Sequence, residues 1–247
     1  MRFYIIRHGE SVGNLNKICL GHTDLGLTDK GREQAVITAN ALCDVKFCRI
    51  YSSDLIRAVE TALPNAILRG GDESCINKRR DLRELYFGDW ENSAVEDLKN
   101  NYGDMFPVGW RQHFGTFTPP NGESVPALAD RMCAAFAAIA DECAELSTFD
   151  FDINLTGASS LNSDAVNCIK IATDPNEINI LVVSHAASIR AFWGKISGFR
   201  SEDVCSNVPF PTNASYSIFD YDVKNGKFTP IAYSVDEHLA DLKTALM

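Results

Sequence analysis

The chain is poor in cysteine, has no excess of basic charge and contains no long apolar run. Its eight cysteines in 247 residues stand at positions 19, 43, 48, 75, 133, 143, 168 and 205. That density lies far below a disulfide scaffold. No two of them have C-x-x-C spacing, so zinc-ribbon and thioredoxin readings lose their support. Cys43, Cys48 and Cys133 sit in apolar surroundings and are expected to be buried, reduced thiols. Acidic side chains outnumber basic ones, 33 to 23, for a net charge of −10. This sign disfavours nucleic acid and anionic membrane surfaces as partners. It leaves a small anionic substrate open, because a few arginines in a cleft set the local field. No stretch approaches the roughly 18 apolar residues of a membrane span. The apolar run at residues 3–6 is too short for a signal peptide and is not followed by a small-residue cleavage site. A soluble, cytoplasmic protein is expected.

Apolar residues make up 45% and charged residues 23%, an ordinary globular composition. Residues 3–6 form a short apolar run that stops at Arg7-His8-Gly9-Glu10, the pattern of a buried parallel strand. A helix is expected over 28–43 behind Thr28, then a strand over 47–51. The next helix, over 54–63, should be stopped by Pro64. Short extended pieces are expected at 75–76 and 82–85, a helix over 93–101 and a long Ala-rich helix over 123–146. Residues 147–177 are polar and aperiodic and read as a long loop, an excursion near the cleft. The clearest central strand is 178–184, followed by His185 and a helix over 186–196. Residues 215–221 and 227–233 alternate like a hairpin turning at Lys224-Asn225-Gly226, and 236–246 reads as a closing helix. Strands alternating with helices predict a three-layer α/β/α fold with a mostly parallel central sheet.

Four short stretches concentrate chemistry. Arg7-His8-Gly9-Glu10-Ser11, with Asn14, follows a strand, and ligands of open α/β sheets bind beyond the carboxyl ends of strands. Arg7 offers a planar fork of donors and His8 a nucleophile or acid/base, though an Arg-His pair in a turn reads equally as a surface pair. Ser184-His185 repeats the placement at the other strong strand; two of five histidines in such positions are harder to dismiss. Arg57 lies one turn into a helix that begins where a strand ends, within reach of the same crevice, or else is a solvated helix residue. Glu84 lies among large apolar side chains. There it would suit a general acid, or form half of an ion pair with Arg83 or Arg80. His22 and His238 are assigned solvent-facing or cap positions.

The set R-H-G-E-S-x-x-N, S-S-D-L-x-R-A-x-x-T-A, L-R-E-x-x-F-G-x-W-E, G-E-S-V and V-S-H-x-x-x-I-R, in order from residue 2 to about 220, resembles the histidine phosphatase superfamily in its phosphoglycerate mutase-like branch. The resemblance implies a single domain over 1–247 with a cap inserted at about 88–122. It also implies a phosphohistidine mechanism. His8 would take the phosphoryl group, and Arg7, Arg57 and His185 would clamp its oxygens. Glu84 would protonate the leaving oxygen and then activate water. Asn14, Thr23 and the backbone N–H of Ala186 would contact phosphate or substrate. Two guanidinium forks and one imidazolium can neutralise about two negative charges, so neither a metal nor another cofactor is expected. The partner would be a small phosphorylated substrate.

Two departures stand out: His185-Ala186-Ala187 where the family has His-Gly-Gly, and Trp90-Glu91-Asn92 where W-E-G is usual. Methyl groups beside His185 narrow the approach but remove no catalytic group. Phe87-Gly88-Asp89-Trp90-Glu91 resembles the phosphatase members, and Gly13 stands where mutases often carry Trp. A phosphomonoesterase is therefore expected; a phosphoglycerate mutase and a low-turnover phospho-ligand-binding protein are the alternatives. The aromatics within 88–122 would be either cap packing or a substrate wall, with Arg111 and His113 as extra anion contacts. Glu123 would brace an active-site arginine or touch substrate.

Overall fold

A computed structural model describes residues 1–106, 108–144 and 178–244. Its strands are β1 (Arg2–Arg7), β2 (Ile18–Cys19), β3 (Phe47–Ser53), β4 (Ile76–Arg79), β5 (Ser93–Ala94), β6 (Asn179–Ser184), β7 (Tyr216–Asp222) and β8 (Lys227–Val235). The α-helices are α1 (Val12–Leu15), α2 (Asp29–Ala41), α3 (Ile56–Ile67), α4 (Val95–Tyr102), α5 (Val108–Gln112), α6 (Val125–Ala144), α7 (Ala186–Ile196) and α8 (Val204–Asn207).

Six strands make the main sheet, in the order β4-β3-β6-β1-β7-β8. The first four run parallel; β7 is antiparallel to β1, and β8 to β7. The sheet is thus mostly parallel with an antiparallel edge, as the alternation of elements predicts. Phe3, Tyr4, Ile5 and Ile6 are all fully buried because β1 is covered on both faces. Phe3 and Ile5 join Leu128, Met132 and Phe136 of α6 and Ile189 and Phe192 of α7 in one core. Tyr4 and Ile6 join Ala58, Val59 and Ala62 of α3 in the other, with Leu42 just past α2. The period of two along β1 therefore feeds two helical layers. Phe3 stacks on Phe219 at 4.9 Å and meets Phe136 edge-on at 5.4 Å. Such pairs add about 0.5–1.5 kcal/mol each beyond burial.

Several local expectations need correction. Pro64 does not stop α3, which runs on to Ile67. Its carbonyl still accepts from the Leu68 amide at 3.0 Å, so the last turn closes after it. The closing helix over 236–246 is instead a 3₁₀ segment, Glu237–Leu242, broken by Ala240 at φ 43°; residues past 244 lie outside the described set. The 82–85 piece forms no strand, Leu82 closing a 3₁₀ turn over Arg80–Leu82, and the 75–76 piece is the start of β4, which begins at Ile76 and runs to Arg79. The long-loop expectation for 147–177 falls outside the described residues, as does Cys168. Cys43 is exposed and Cys48 and Cys133 are only partly buried; Cys143 is the buried thiol among the described residues. At the end of α2 it is Leu42, not Cys43, that turns into the core.

Candidate active site

β1 and β6 lie side by side in register, with Arg7 opposite Ser184. His8 and His185 therefore leave adjacent strand ends together. The His8 amide donates to the Ser184 carbonyl at 3.0 Å, extending the ladder by one bond. Chain direction then changes at Gly9, where a Cβ would come within 2.4 Å of the Gly31 carbonyl oxygen. Only glycine allows this approach. Gly9 in turn presents its carbonyl to His8 Nδ1 at 2.7 Å. A carbonyl can only accept, so Nδ1 carries the hydrogen and Nε2 keeps its lone pair. Burial, followed by the charges of Arg57 and Arg7, holds His8 well below the usual imidazole range. The ring is neutral at pH 7.

His185 is fully buried, its ring centroid 5.2 Å from that of His8. Neither of its ring nitrogens has a hydrogen-bond partner among the described residues. It too is held well below the ordinary value, by burial first and then by Arg57 and His8. Arg7 donates through Nη1 to the Pro211 carbonyl at 2.6 Å, while its buried Nε is unpaired. Arg57 donates to the carbonyls of Thr23 (2.8 Å) and Gly21 (2.7 Å). Burial brings both guanidinium groups down to about 10, which leaves them charged at neutral pH. Unsatisfied buried donors are unfavourable unless something fills them. Two guanidinium groups and an imidazole, all within electrostatic reach of His8, suit a small oxyanion.

Glu84 completes the ring. It is buried and does not pair with Arg83, which forks onto Asp54 at 2.6 and 2.7 Å. Its carboxyl instead sits at the start of α7, accepting from the amides of Ala187 (3.1 Å), Ser188 (3.0 Å) and Leu85 (2.9 Å) and from the Ser188 hydroxyl (3.1 Å). The helix thus uses the Glu84 carboxyl to accept from its free first-turn amides. Ala186, the first residue of α7, keeps an amide that Glu84 does not use.

Asn14 is tied to the same group through Asn213, which also donates to the His8 carbonyl: its Oδ1 accepts from the Ser11 amide (3.1 Å) and from Asn213 Nδ2 (3.2 Å). Thr23 is turned elsewhere, both its amide and its hydroxyl donating to Glu91, at 2.9 and 2.8 Å. Glu91 also receives the amides of His22 and Phe87, and so fixes the loop whose carbonyls hold Arg57. Glu123 forks onto Arg131, which donates to the carbonyls of Asp81, Arg83 and Glu84 and so carries the loop that bears Glu84.

His22 is not a solvent-facing bystander. It is half-buried, its Nε2 lies 3.0 Å from the Glu84 carbonyl, and its ring tilts against Tyr86. It lines a cavity of about 570 Å³ together with Arg80, Asp81, Tyr86, Glu123 and Arg131. His238 is also partly buried, with Nε2 3.0 Å from Thr38 Oγ1. In the segment 88–122, Trp90, Phe106, Phe114 and Phe117 are buried in the core shared with α6, which is packing rather than a substrate wall. Arg111 and His113 are exposed.

Four supports escaped the sequence reading. Asn213, which donates to the His8 carbonyl at 3.1 Å, belongs to no motif. Ser188 occupies an unspecified place within V-S-H-x-x-x-I-R. Arg131 stands eight residues beyond Glu123. Glu91 is in a quoted motif, yet nothing local shows which loop it holds. Among the described residues no group of three or more His, Cys, Asp or Glu side chains is arranged to hold a metal ion. No helix there is long and apolar enough to cross a membrane.

Residues 3–147 match the histidine phosphatase superfamily (branch 1). The chain is 35% identical over 206 residues to a 2,3-bisphosphoglycerate-dependent phosphoglycerate mutase of Bartonella henselae, covering 82% of this chain and 84% of the mutase. It is 33% identical over 132 residues to an adenosylcobalamin/alpha-ribazole phosphatase of Salmonella typhimurium, 53% of this chain. That match spans 63% of the phosphatase's length, less than two thirds. The fold is shared with a mycobacterial glucosyl-3-phosphoglycerate phosphatase solved with VO3, at a TM-score of 0.73 and 21% identity over 95% of this chain and 99% of that one.

Proposed function

Because the chain belongs to the histidine phosphatase superfamily, we propose that it is a phosphomonoesterase that hydrolyses a small phosphorylated metabolite through a phosphohistidine on His8. One observation carries the reading: the Gly9 carbonyl holds the Nδ1 hydrogen of His8, leaving the Nε2 lone pair beside buried donors of Arg7, Arg57 and His185.

In the first step the His8 Nε2 lone pair forms a bond to phosphorus while the phosphorus–ester oxygen bond breaks. A proton on the Glu84 carboxyl passes to the departing oxygen, and the alcohol leaves. In the second step a water gives its proton to the Glu84 carboxylate as its oxygen bonds to phosphorus. The phosphorus–nitrogen bond breaks and its electron pair returns to Nε2. Arg7 and Arg57 balance the charge on the three transferred oxygens and the neutral His185 ring donates an N–H to one of them, which meets the main demand of phosphoryl transfer.

A mutase is the second reading, and the extent of the Bartonella relative favours it. It requires retention of the departing alcohol so that phosphate can return to another of its oxygens. The F-G-x-W-E run at 87–91 supports the phosphatase instead. Rapid quench with a phosphorylated substrate tests the mechanism: acid-labile phosphate should appear on His8, and His8→Ala should lose turnover by on the order of 10⁴ or more. Substantial turnover in His8→Ala, with no labile phosphoprotein in the parent, would exclude the covalent route. Release of inorganic phosphate across a metabolite panel separates a phosphatase from a binding protein, and a coupled assay with 3-phosphoglycerate tests the mutase. We also propose a cytoplasmic location, which the free thiols of the described cysteines support.

A further inference from the structure

The four hydrogen bonds at Glu84 are shared unequally between its two oxygens. Oε1 accepts from the amides of Leu85 (2.9 Å) and Ser188 (3.0 Å) and lies 3.1 Å from the Ser188 hydroxyl. Oε2 accepts from the Ala187 amide alone, at 3.1 Å. A carboxylate oxygen has two lone pairs in its plane, and two fixed N–H groups already occupy those of Oε1. A proton arriving there would displace a buried N–H and leave it unpaired. Oε2 keeps one lone pair open.

We propose that Oε1 is the anchoring oxygen of Glu84, Oε2 the one that gives and takes the proton, and Ser188 the positioning residue that keeps them so. The inference rests on the phosphomonoesterase reading given above. Ser188 is fully buried, and its one hydroxyl hydrogen is shared between two acceptors of one loop, the Arg83 carbonyl at 2.8 Å and Glu84 Oε1 at 3.1 Å. It ties the carboxyl to the backbone immediately before it, which stops the group rotating about its last bond and exchanging its oxygens. The backbone amides cannot be deleted individually by simple substitution, so the hydroxyl is the handle by which the arrangement can be tested.

The experiment is kcat/KM for the parent, Ser188→Ala and Ser188→Cys across phosphate esters of dinitrophenol, nitrophenol, phenol and a simple alkyl alcohol. A dinitrophenolate departs without a proton; phenol and alkyl oxygens need one from Oε2. Ser188→Ala should lose about 10-fold on the phenyl and alkyl esters, the scale of one oriented hydrogen bond to a charged group. On the dinitrophenyl ester the loss should be under about twofold. Ser188→Cys, with a weaker donor of similar shape, should fall between parent and alanine. An equal loss on every ester makes Ser188 a packing residue and overturns the inference, and no loss on any ester overturns it too. A parent that releases no phosphate from any of the four overturns the phosphatase reading, and this inference with it. Thermal unfolding of each variant identifies a folding defect, in which case the cysteine variant carries the comparison.

Discussion

The strand ends and the 88–122 segment differ in what they bury. At the strand ends, Arg7, His8, Arg57, Glu84 and His185 are polar groups taken out of water and gathered together, with nitrogens of Arg7 and His185 unpaired among the described residues. Within 88–122, Trp90 packs on Tyr102, Phe106 and Phe117, while Trp110 packs on Phe114, Phe117 and Phe210. Arg190 of α7 lies over the Phe114 and Phe210 rings and joins this cluster to the sheet's helical layer. The first region holds groups in arrangements that stability alone would not choose. The second is an ordinary apolar core on a smaller scale. Damage to the first should change turnover more than folding, and damage to the second the reverse.

The largest effect expected within this contrast is on turnover. Glu84→Gln keeps the shape but removes the exchangeable proton, and kcat on alkyl phosphates should fall about 10²–10⁴-fold, measured by phosphate release. Trp90→Ala tests the other side: it empties a fully buried site and should destabilise by roughly 3–5 kcal/mol. Denaturant unfolding would register the loss, while turnover of a small aryl phosphate in the cold should stay within a few-fold of the parent. Acid should expose the burial of the two histidines. Burial holds both well below the ordinary imidazole value of about 6.5, so as pH falls through that value the unfolded chain takes up protons that the folded chain refuses. Each histidine should then remove up to about 1.4 kcal/mol of stability per pH unit. Unfolding midpoints of the phosphate-free protein should drop from pH 6.5 downward, and less steeply in His185→Gln. Arg111→Ala should do least: the residue is exposed, and both stability (within about 0.5 kcal/mol) and KM should hold. A raised KM would turn the 88–122 segment back into a substrate wall.

These two regions were also unequally legible in the sequence. The strands under the site announce themselves because burial on both faces demands unbroken apolar runs, as at 3–6 and 180–183, and each is followed within two residues by a histidine. Arg57 and Glu84 were reachable because each lies close to where an element begins or ends. What local pattern could not supply was the bracing. Glu91 holds a loop 68 positions earlier, and Asn213 reaches His8 across 205. Such contacts depend on the completed sheet order, which no short window contains. Pro64 and Ala240 show the opposite error, where local rules predict a break or a helix and tertiary packing decides otherwise.

The position of β1 has a consequence for biosynthesis. This strand, which leads to His8, lies between β6, beginning at Asn179, and β7, beginning at Tyr216, and both emerge from the ribosome long after it. At translation rates of roughly 5–20 residues per second, the nascent Phe3–Ile6 stretch waits on the order of 10–35 s for its parallel neighbour. During that interval four apolar side chains have no sheet to enter. The His8 carbonyl gains its Asn213 partner only once residue 213 has emerged, so the proposed activity should arise late in synthesis.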